Sequence, residues 1–99
     1  MATEFYENSD ITLKENVDSV SESDLDKVED VEFKEFNFID DADKTKKYGV
    51  IAQEVEEAGL DNLVSTNAEG KKAVDYISLL VLKIQALEKR VAELEAERR

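Results

Sequence analysis

Two side chains near the beginning of the chain, Ser9 and Lys14, could together carry out nucleophilic chemistry. A serine hydroxyl attacks a carbonyl when a base takes its proton, and a neutral lysine can be that base. Removing a lysine from water favours its neutral form. The chain contains no histidine and no cysteine, which excludes a Ser-His-Asp triad and a Cys-His pair. Because serine and lysine are also common on solvated surfaces, their spacing alone leaves a catalytic and a bland interpretation open.

The composition narrows the kinds of ligand that the protein can take. A net charge of −12 repels phosphate backbones, so we expect no binding to nucleic acid. Without His or Cys, and with no EF-hand spacing among the 25 acidic residues, we expect no metal. The three glycines lie too far apart to form a phosphate-binding loop, and we expect no cofactor. No apolar run approaches the roughly 20 residues of a membrane span, so no membrane partner is expected.

Residues 75–99 are predicted to form one long helix. They include no Gly or Pro, they are rich in strong helix formers, and Asp75 is a suitable N-cap. Apolar residues recur in alternating steps of three and four, with Ile or Val at a and Leu at d. This set, here called the seam, consists of Ile77, Leu80, Ile84, Leu87, Val91 and Leu94. So narrow a stripe predicts a coiled coil between copies of the chain; the alternative is an amphipathic helix packed on its own domain.

Charges beside the seam predict the direction of the neighbouring helices. Lys83 and Arg90 fall at g positions, while Glu88 and Glu95 fall at e positions. A parallel pairing brings g to the following e of the neighbour, so opposite charges meet, whereas an antiparallel pairing sets like charges together. Each exposed pair contributes little, but their sum favours parallel helices. Ile or Val at a with Leu at d favours two strands, so the residues alone do not settle the copy number.

The remaining residues predict an α+β fold, with a small, mostly antiparallel sheet and short helices before the long helix. Leu79, Val81 and Leu82 add apolar surface outside the seam, so we expect a globular part to cover the first turns of that helix. A short strand followed by a turn is predicted within 12–20, and further strands are predicted at 33–39, 48–52, 63–64 and 72–74. Short helices are predicted around Leu25 and Val28 and at 53–58, and Gly59 should end the second of them. A charged, exposed loop is predicted at 40–47.

Three blocks of this sequence resemble the intramolecular chaperone domains of phage tailspikes, the peptidase S74 family. The first block is SDITLKENV at 9–17, the second is YGVIAQEV at 48–55, and the third is VDY at 74–76, just before the long helix. They occur in the order typical of the family and span most of the chain. One departure is that some members carry a His before the second block, where this chain has Lys47 and Tyr48.

The resemblance implies a single-turnover serine peptidase that cuts its own chain. Members of this family cut the peptide bond just before the serine of the first block. In this chain that bond joins Asn8 to Ser9. By this resemblance Ser9 is the nucleophile and Lys14 the general base. The second block also supplies three candidates for supporting the site, Gly49, Gln53 and Glu54. The structural alternatives are a tight backbone position for Gly49 and a structural hydrogen bond or helix cap for Gln53. Glu54 is expected to have a structural role.

The resemblance also implies the function of the chain and its division into parts. Such domains bring three chains of a phage neck-appendage, tail-fibre or tailspike protein into register, so that an intertwined stalk folds, and are then released. Residues 1–8 are thus expected to be a remnant of the upstream stalk, 9–74 a globular chaperone collar, and 75–99 a helix in a parallel, three-stranded coiled coil. The partners are other copies of the chain, as a parallel homotrimer, and the stalk of its own precursor. The expected location is the host cytoplasm during virion assembly, with the released domain absent from the mature virion.

Two other functions remain compatible with the residues. The first is a non-catalytic homo-oligomerisation or adaptor module, in which Ser9 is a turn residue and Lys14 a surface charge. The second is an acidic coiled-coil regulator that binds a basic partner, which rests only on the net charge.

Overall fold

The computed structural model of the protein describes residues 6–98. It confirms the α+β prediction and the long C-terminal helix. In chain order the helices and strands are α1 (Glu22–Glu29), β1 (Lys34–Phe36), β2 (Lys47–Gly49), α2 (Ala52–Glu57), β3 (Val64–Thr66), β4 (Lys72–Val74) and α3 (Tyr76–Glu97), with single 3₁₀ turns at Ile11–Leu13 and Asp61–Leu63.

The strands form two separate hairpins rather than the one small sheet that was predicted. Antiparallel β1 and β2 pair with Glu35 opposite Tyr48, and antiparallel β3 and β4 pair with Ser65 opposite Ala73. The hairpins stay apart because α2 begins three residues after β2 and packs against β3 and β4. The loop between β1 and β2 is exposed, as predicted, apart from the half-buried Asp41.

The prediction of a strand within 12–20 is wrong. These residues, all of which the structure describes, contain the end of one 3₁₀ turn and otherwise irregular, exposed chain. The Asp10 side chain caps this turn by accepting hydrogen bonds from the Thr12 backbone N–H at 2.9 Å and the Thr12 hydroxyl at 2.7 Å. Such local bonds from an Asp side chain compete with sheet pairing, which explains the turn.

A small apolar core lies where α1, α2 and the first turns of α3 meet. Its fully buried side chains belong to Val28, Val31, Val55, Leu60 and Leu79. The predicted helix around Leu25 and Val28 is confirmed as α1, and Ser21 caps it by accepting from the Asp24 N–H at 3.2 Å. Gly59 follows α2 with φ of +91°, which confirms the predicted helix end.

Helix α3 has two apolar faces with different surroundings. One face packs on the rest of the chain through Leu79, which is fully buried, and Ala86, which contacts the same core. The seam is a different face, and its side chains remain 45–64 % exposed. The alternative, in which the helix packs only on its own domain, therefore explains the burial of the first face but does not explain the exposed apolar side chains of the seam.

The predicted N-cap of α3 is confirmed and gives a pH-dependent stability. The Asp75 carboxylate accepts from the Ser78 hydroxyl at 2.7 Å and from the Ser78 N–H at 3.1 Å. These bonds hold the pKa of Asp75 below its ordinary value of 3.8. Because the folded pKa is depressed, the contribution of this cap is present above pH 3.8 and is lost as the pH falls through the folded pKa.

We therefore expect Asp75→Ala to lower the melting temperature at pH 7 by roughly 4 °C, since an N-cap is lost. The gap between wild type and variant should close as the pH falls below 3.8. Thermal melts followed by circular dichroism across this range measure the effect. Asp40→Ala, in the exposed loop, serves as the control, and a gap that stays constant with pH would contradict the assignment.

Candidate functional site

The 3₁₀ turn at Ile11–Leu13 brings the side chains of Ser9 and Lys14 together. The turn is closed by the Leu13 N–H on the Asp10 carbonyl at 3.0 Å and by the Lys14 N–H on the Ile11 carbonyl at 3.1 Å. With the chain reversed in this way, the Lys14 amine donates to the Ser9 hydroxyl with Nζ 2.9 Å from Oγ. A nucleophile and a base need this kind of hydrogen-bond contact to exchange a proton.

The Ser9 and Lys14 pair lies open to water in the single chain. Residues 6–20 are all exposed, including the apolar side chains of Ile11 and Leu13, each 67 % exposed. The Thr12 N–H and hydroxyl lower the pKa of Asp10, so a negative charge stays beside Ser9. Within one chain, the turn therefore provides contact between the two groups but not the dry surroundings that favour a neutral lysine.

The three candidate supporting residues are not brought to this pair within one chain. Among residues 6–98, no hydrogen bond or ion pair joins Ser9 or Lys14 to Gly49, Gln53 or Glu54. Gln53 is exposed on α2, where it lines an open groove of about 480 Å³ with Phe36, Phe38 and Ile51 among others. The Glu54 carboxylate lies 4.0 Å from the Lys34 amine, an ion pair that ties α2 to β1.

Gly49 occupies a position where the backbone approaches Tyr76 closely. A Cβ atom at Gly49 would overlap the Tyr76 hydroxyl and would lie 3.3 Å from the Phe36 ring. The same hydroxyl accepts from the Val50 N–H at 3.0 Å. Tyr76 thus fastens the first turn of α3 to the end of β2, a role that the sequence reasoning missed although it singled out the block containing this residue.

We expect Gly49→Ala to destabilise the fold by about 1–3 kcal/mol, the usual range for overpacking. Tyr76→Phe removes the overlapping oxygen, so adding Gly49→Ala to that variant should cost less than adding it to the wild type. Urea denaturation of the wild type, the two single variants and the double variant measures this difference. Strictly additive free energies of unfolding would show that the two positions do not interact.

Within residues 6–98 there is no cluster of three or more acidic side chains placed to hold a metal ion. In the same part of the chain, no helix has both the length and the hydropathy needed to span a bilayer.

Comparison with known families places the chain in one of them. Residues 9–65 match the peptidase S74 family, described as a chaperone of endosialidase. The match covers more than half of the chain and begins at Ser9, so the chain belongs to this family of chaperone domains. No curated protein matches the chain.

Proposed function

We propose that the protein is an intramolecular chaperone that holds three copies of a phage fibre or tailspike stalk in register and then cuts itself free. Membership of the chaperone of endosialidase family supports the chaperone part of this proposal. In it, residues 1–8 are the end of the stalk, 9–74 form the collar, and 75–99 form the trimeric coiled coil. The exposed loop at 40–47 is an arm of the collar that contacts the stalk.

The contact between Ser9 and Lys14 is the observation that carries the catalytic part. It joins a hydroxyl and an amine at 2.9 Å, and the family match begins at this serine. Ser9 Oγ attacks the carbonyl carbon of Asn8 while neutral Lys14 takes the hydroxyl proton. The C–N bond then breaks, Lys14 returns the proton to the departing Ser9 nitrogen, and an ester links Asn8 to Ser9 Oγ. Water hydrolyses this ester, which leaves a carboxylate on Asn8 and a free amine and hydroxyl on Ser9.

Assembly supplies what the single chain lacks at this site. Lys14 is exposed in one chain, whereas a lysine that serves as a base needs surroundings shielded from water. In the proposed trimer, the exposed apolar side chains of Ile11 and Leu13 become covered, and water is displaced from Lys14 as well. Cleavage therefore waits for assembly, which prevents release of a stalk whose chains are not yet in register.

The exposed seam on α3 supports assembly of identical chains. Six apolar side chains at coiled-coil spacing remain 45–64 % exposed while the opposite face of the helix is buried on the collar. Burying such a stripe is the usual driving force of a coiled coil. Three strands are proposed because the helix is anchored in a collar that imposes its own symmetry, as the family implies. The partners are therefore two further copies and the upstream stalk of the same precursor. The proposed location is the host cytoplasm during assembly, and the released domain leaves the virion.

A precursor that carries stalk sequence upstream of residue 8 tests this function. Mass spectrometry after expression should find one fragment that begins at Ser9 and a complementary fragment that ends at Asn8. A trimeric precursor that stays whole would overturn the catalytic part. The exposure of Ser9 and Lys14 in the single chain would then favour the second candidate, a non-catalytic oligomerisation module.

A further inference from the structure

Phe33 and Val81 are two of the large exposed apolar side chains that belong to neither the core nor the seam. Phe33, just before β1, is 58 % exposed, and Val81, on α3, is 55 % exposed. They lie on opposite flanks of the seam. Phe33 lines grooves on the side of the g positions, whereas Val81 occupies an e position and lines a separate groove with Leu60 and Leu82.

Phe33 is held against α3 on the g side of the seam. It walls an open groove of about 500 Å³ whose floor includes the seam residues Leu80, Ile84 and Leu87. The Lys83 amine lies 5.0 Å from the centre of the Phe33 ring and donates to the Val31 carbonyl. A cation over an aromatic face is attractive, so Lys83 helps to fix this ring beside the seam.

A second groove, of about 540 Å³, continues from Phe33 toward the start of α3. It is lined by Phe33, Leu80, Tyr76 and Tyr48, among others. Tyr76 is the g residue one heptad before Lys83, and Tyr76 and Lys83 flank Phe33 along the helix. The Phe33 ring therefore lies between two successive g positions, where it can meet what a neighbouring helix places there.

The heptad register predicts which residue of a neighbouring helix lies next to Phe33, between the g positions of Tyr76 and Lys83. In a parallel coiled coil, each g position faces the e position five residues further along the neighbouring helix. Tyr76 then faces Val81 of the neighbour, as Lys83 faces its Glu88. An antiparallel arrangement would instead set e positions against e positions and g positions against g positions, so Val81 would not face Tyr76 of the neighbour.

We propose that Val81 of one copy packs into the groove formed by Phe33 and Tyr76 of the next copy. A second copy fits this groove because the e positions of that copy carry the apolar Val81 beside the groove and the acidic Glu88 one heptad later. The groove edge carries the positive charges of Lys83 and Arg90, which complement Glu88 and Glu95 of that copy. Around a threefold axis each chain gives one such contact and receives one, so the ring closes. This inference rests on the proposed parallel assembly and adds the collar to its interface.

Cysteine crosslinking tests the contact directly, because the chain contains no cysteine of its own. A chain carrying Phe33→Cys and Val81→Cys is treated with a short bismaleimide, since a disulfide would demand a narrow Cα separation. The expected product is a covalent trimer on a denaturing gel. Each single variant should give no covalent trimer. The matched control combines Phe38→Cys with Val81→Cys, because Phe38 is 59 % exposed but lines the groove beside Gln53. The control should also give no covalent trimer.

A charge introduced at the same place gives a second readout. Phe33→Asp should raise the concentration at which half of the chains assemble by about tenfold or more, whereas Phe38→Asp should leave it unchanged. Both side chains are exposed in the single chain, so circular dichroism should report the same fold for each variant. Failure of the Phe33 and Val81 pair to crosslink in chains that still assemble through the seam would overturn this contact alone. A wild type that stays monomeric would overturn the proposed assembly as well.

Discussion

A precursor with Ser9→Ala is expected to remain one uncut chain, because it has lost the oxygen that attacks the Asn8 carbonyl. Lys14→Ala should have the same result, since Lys14 is the residue whose amine contacts the Ser9 hydroxyl and is assigned as the base. We expect the rate of cleavage to fall by roughly 10³-fold or more in each case, the loss typical of removing a nucleophile or its base. Mass spectrometry of the precursor over time measures this rate, and light scattering verifies that the variants still assemble.

Lys14→Arg separates a basic role from a merely positive charge. An arginine can donate the same hydrogen bond to Ser9, but it does not lose its proton in proteins and cannot act as a base. We therefore expect this variant to be uncut as well. Lys71→Ala, at an exposed lysine between β3 and β4, is the control and should be cut at the normal rate. Continued cleavage between residues 8 and 9 in Ser9→Ala or Lys14→Arg would refute the assigned roles.

Leu87→Asp is expected to turn the assembled protein into single chains. Leu87 is 64 % exposed in one chain, so the substitution leaves the core of the collar intact. In a trimer, the same layer of the seam would lose three buried leucines and gain three unpaired carboxylates. Burial of one leucine contributes about 1.5–3 kcal/mol, so this loss should weaken assembly by a factor of roughly 10³ or more.

Gln85→Asp is the matched control for this substitution. It introduces the same charge two residues earlier, at an exposed b position away from the seam. Analytical ultracentrifugation should find the control assembled and Leu87→Asp monomeric at the same micromolar concentration. In a longer precursor, Leu87→Asp should also prevent cleavage, because Lys14 then stays exposed to water. Monomeric precursor that is still cut would separate cleavage from assembly and contradict the proposed coupling.

The parts of the fold with strong local signals were predictable from the sequence. Helix α3 combines good helix formers with a capping Asp75, and α2 ends at Gly59, where the backbone adopts positive φ. The seam was predictable because its spacing matches a helix but uses only a narrow face. Its exposure in one chain agrees with that prediction, while the number and direction of the helices in the assembly remain predictions.

The pairing of strands could not be predicted, because it depends on contacts distant in sequence. Each hairpin has strands of three residues, and the position of α2 decides whether the two join. Residues 12–20 carry apolar side chains that suggested a strand, but the Asp10 cap forms a local turn instead. Both errors arise because the spacing of apolar residues does not reveal the hydrogen-bond partners of the backbone.

The candidate site was predictable only where its contacts are local in sequence. Ser9 and Lys14 are five residues apart, so one turn is enough to bring them into contact, although their catalytic roles remain predictions. The contact between Gly49 and Tyr76 joins residues 27 positions apart, and only the folded chain reveals it. Phe33 gave no signal as a neighbour of the seam, since its place depends on how α1 packs along α3.

The mass of the protein in solution tests the central claim, assembly through the seam, most directly. Light scattering on the wild-type chain at micromolar concentration should give about three times the 11.2 kDa of one chain. A mass of 11.2 kDa would contradict assembly through the seam, and twice that mass would contradict a three-stranded coil.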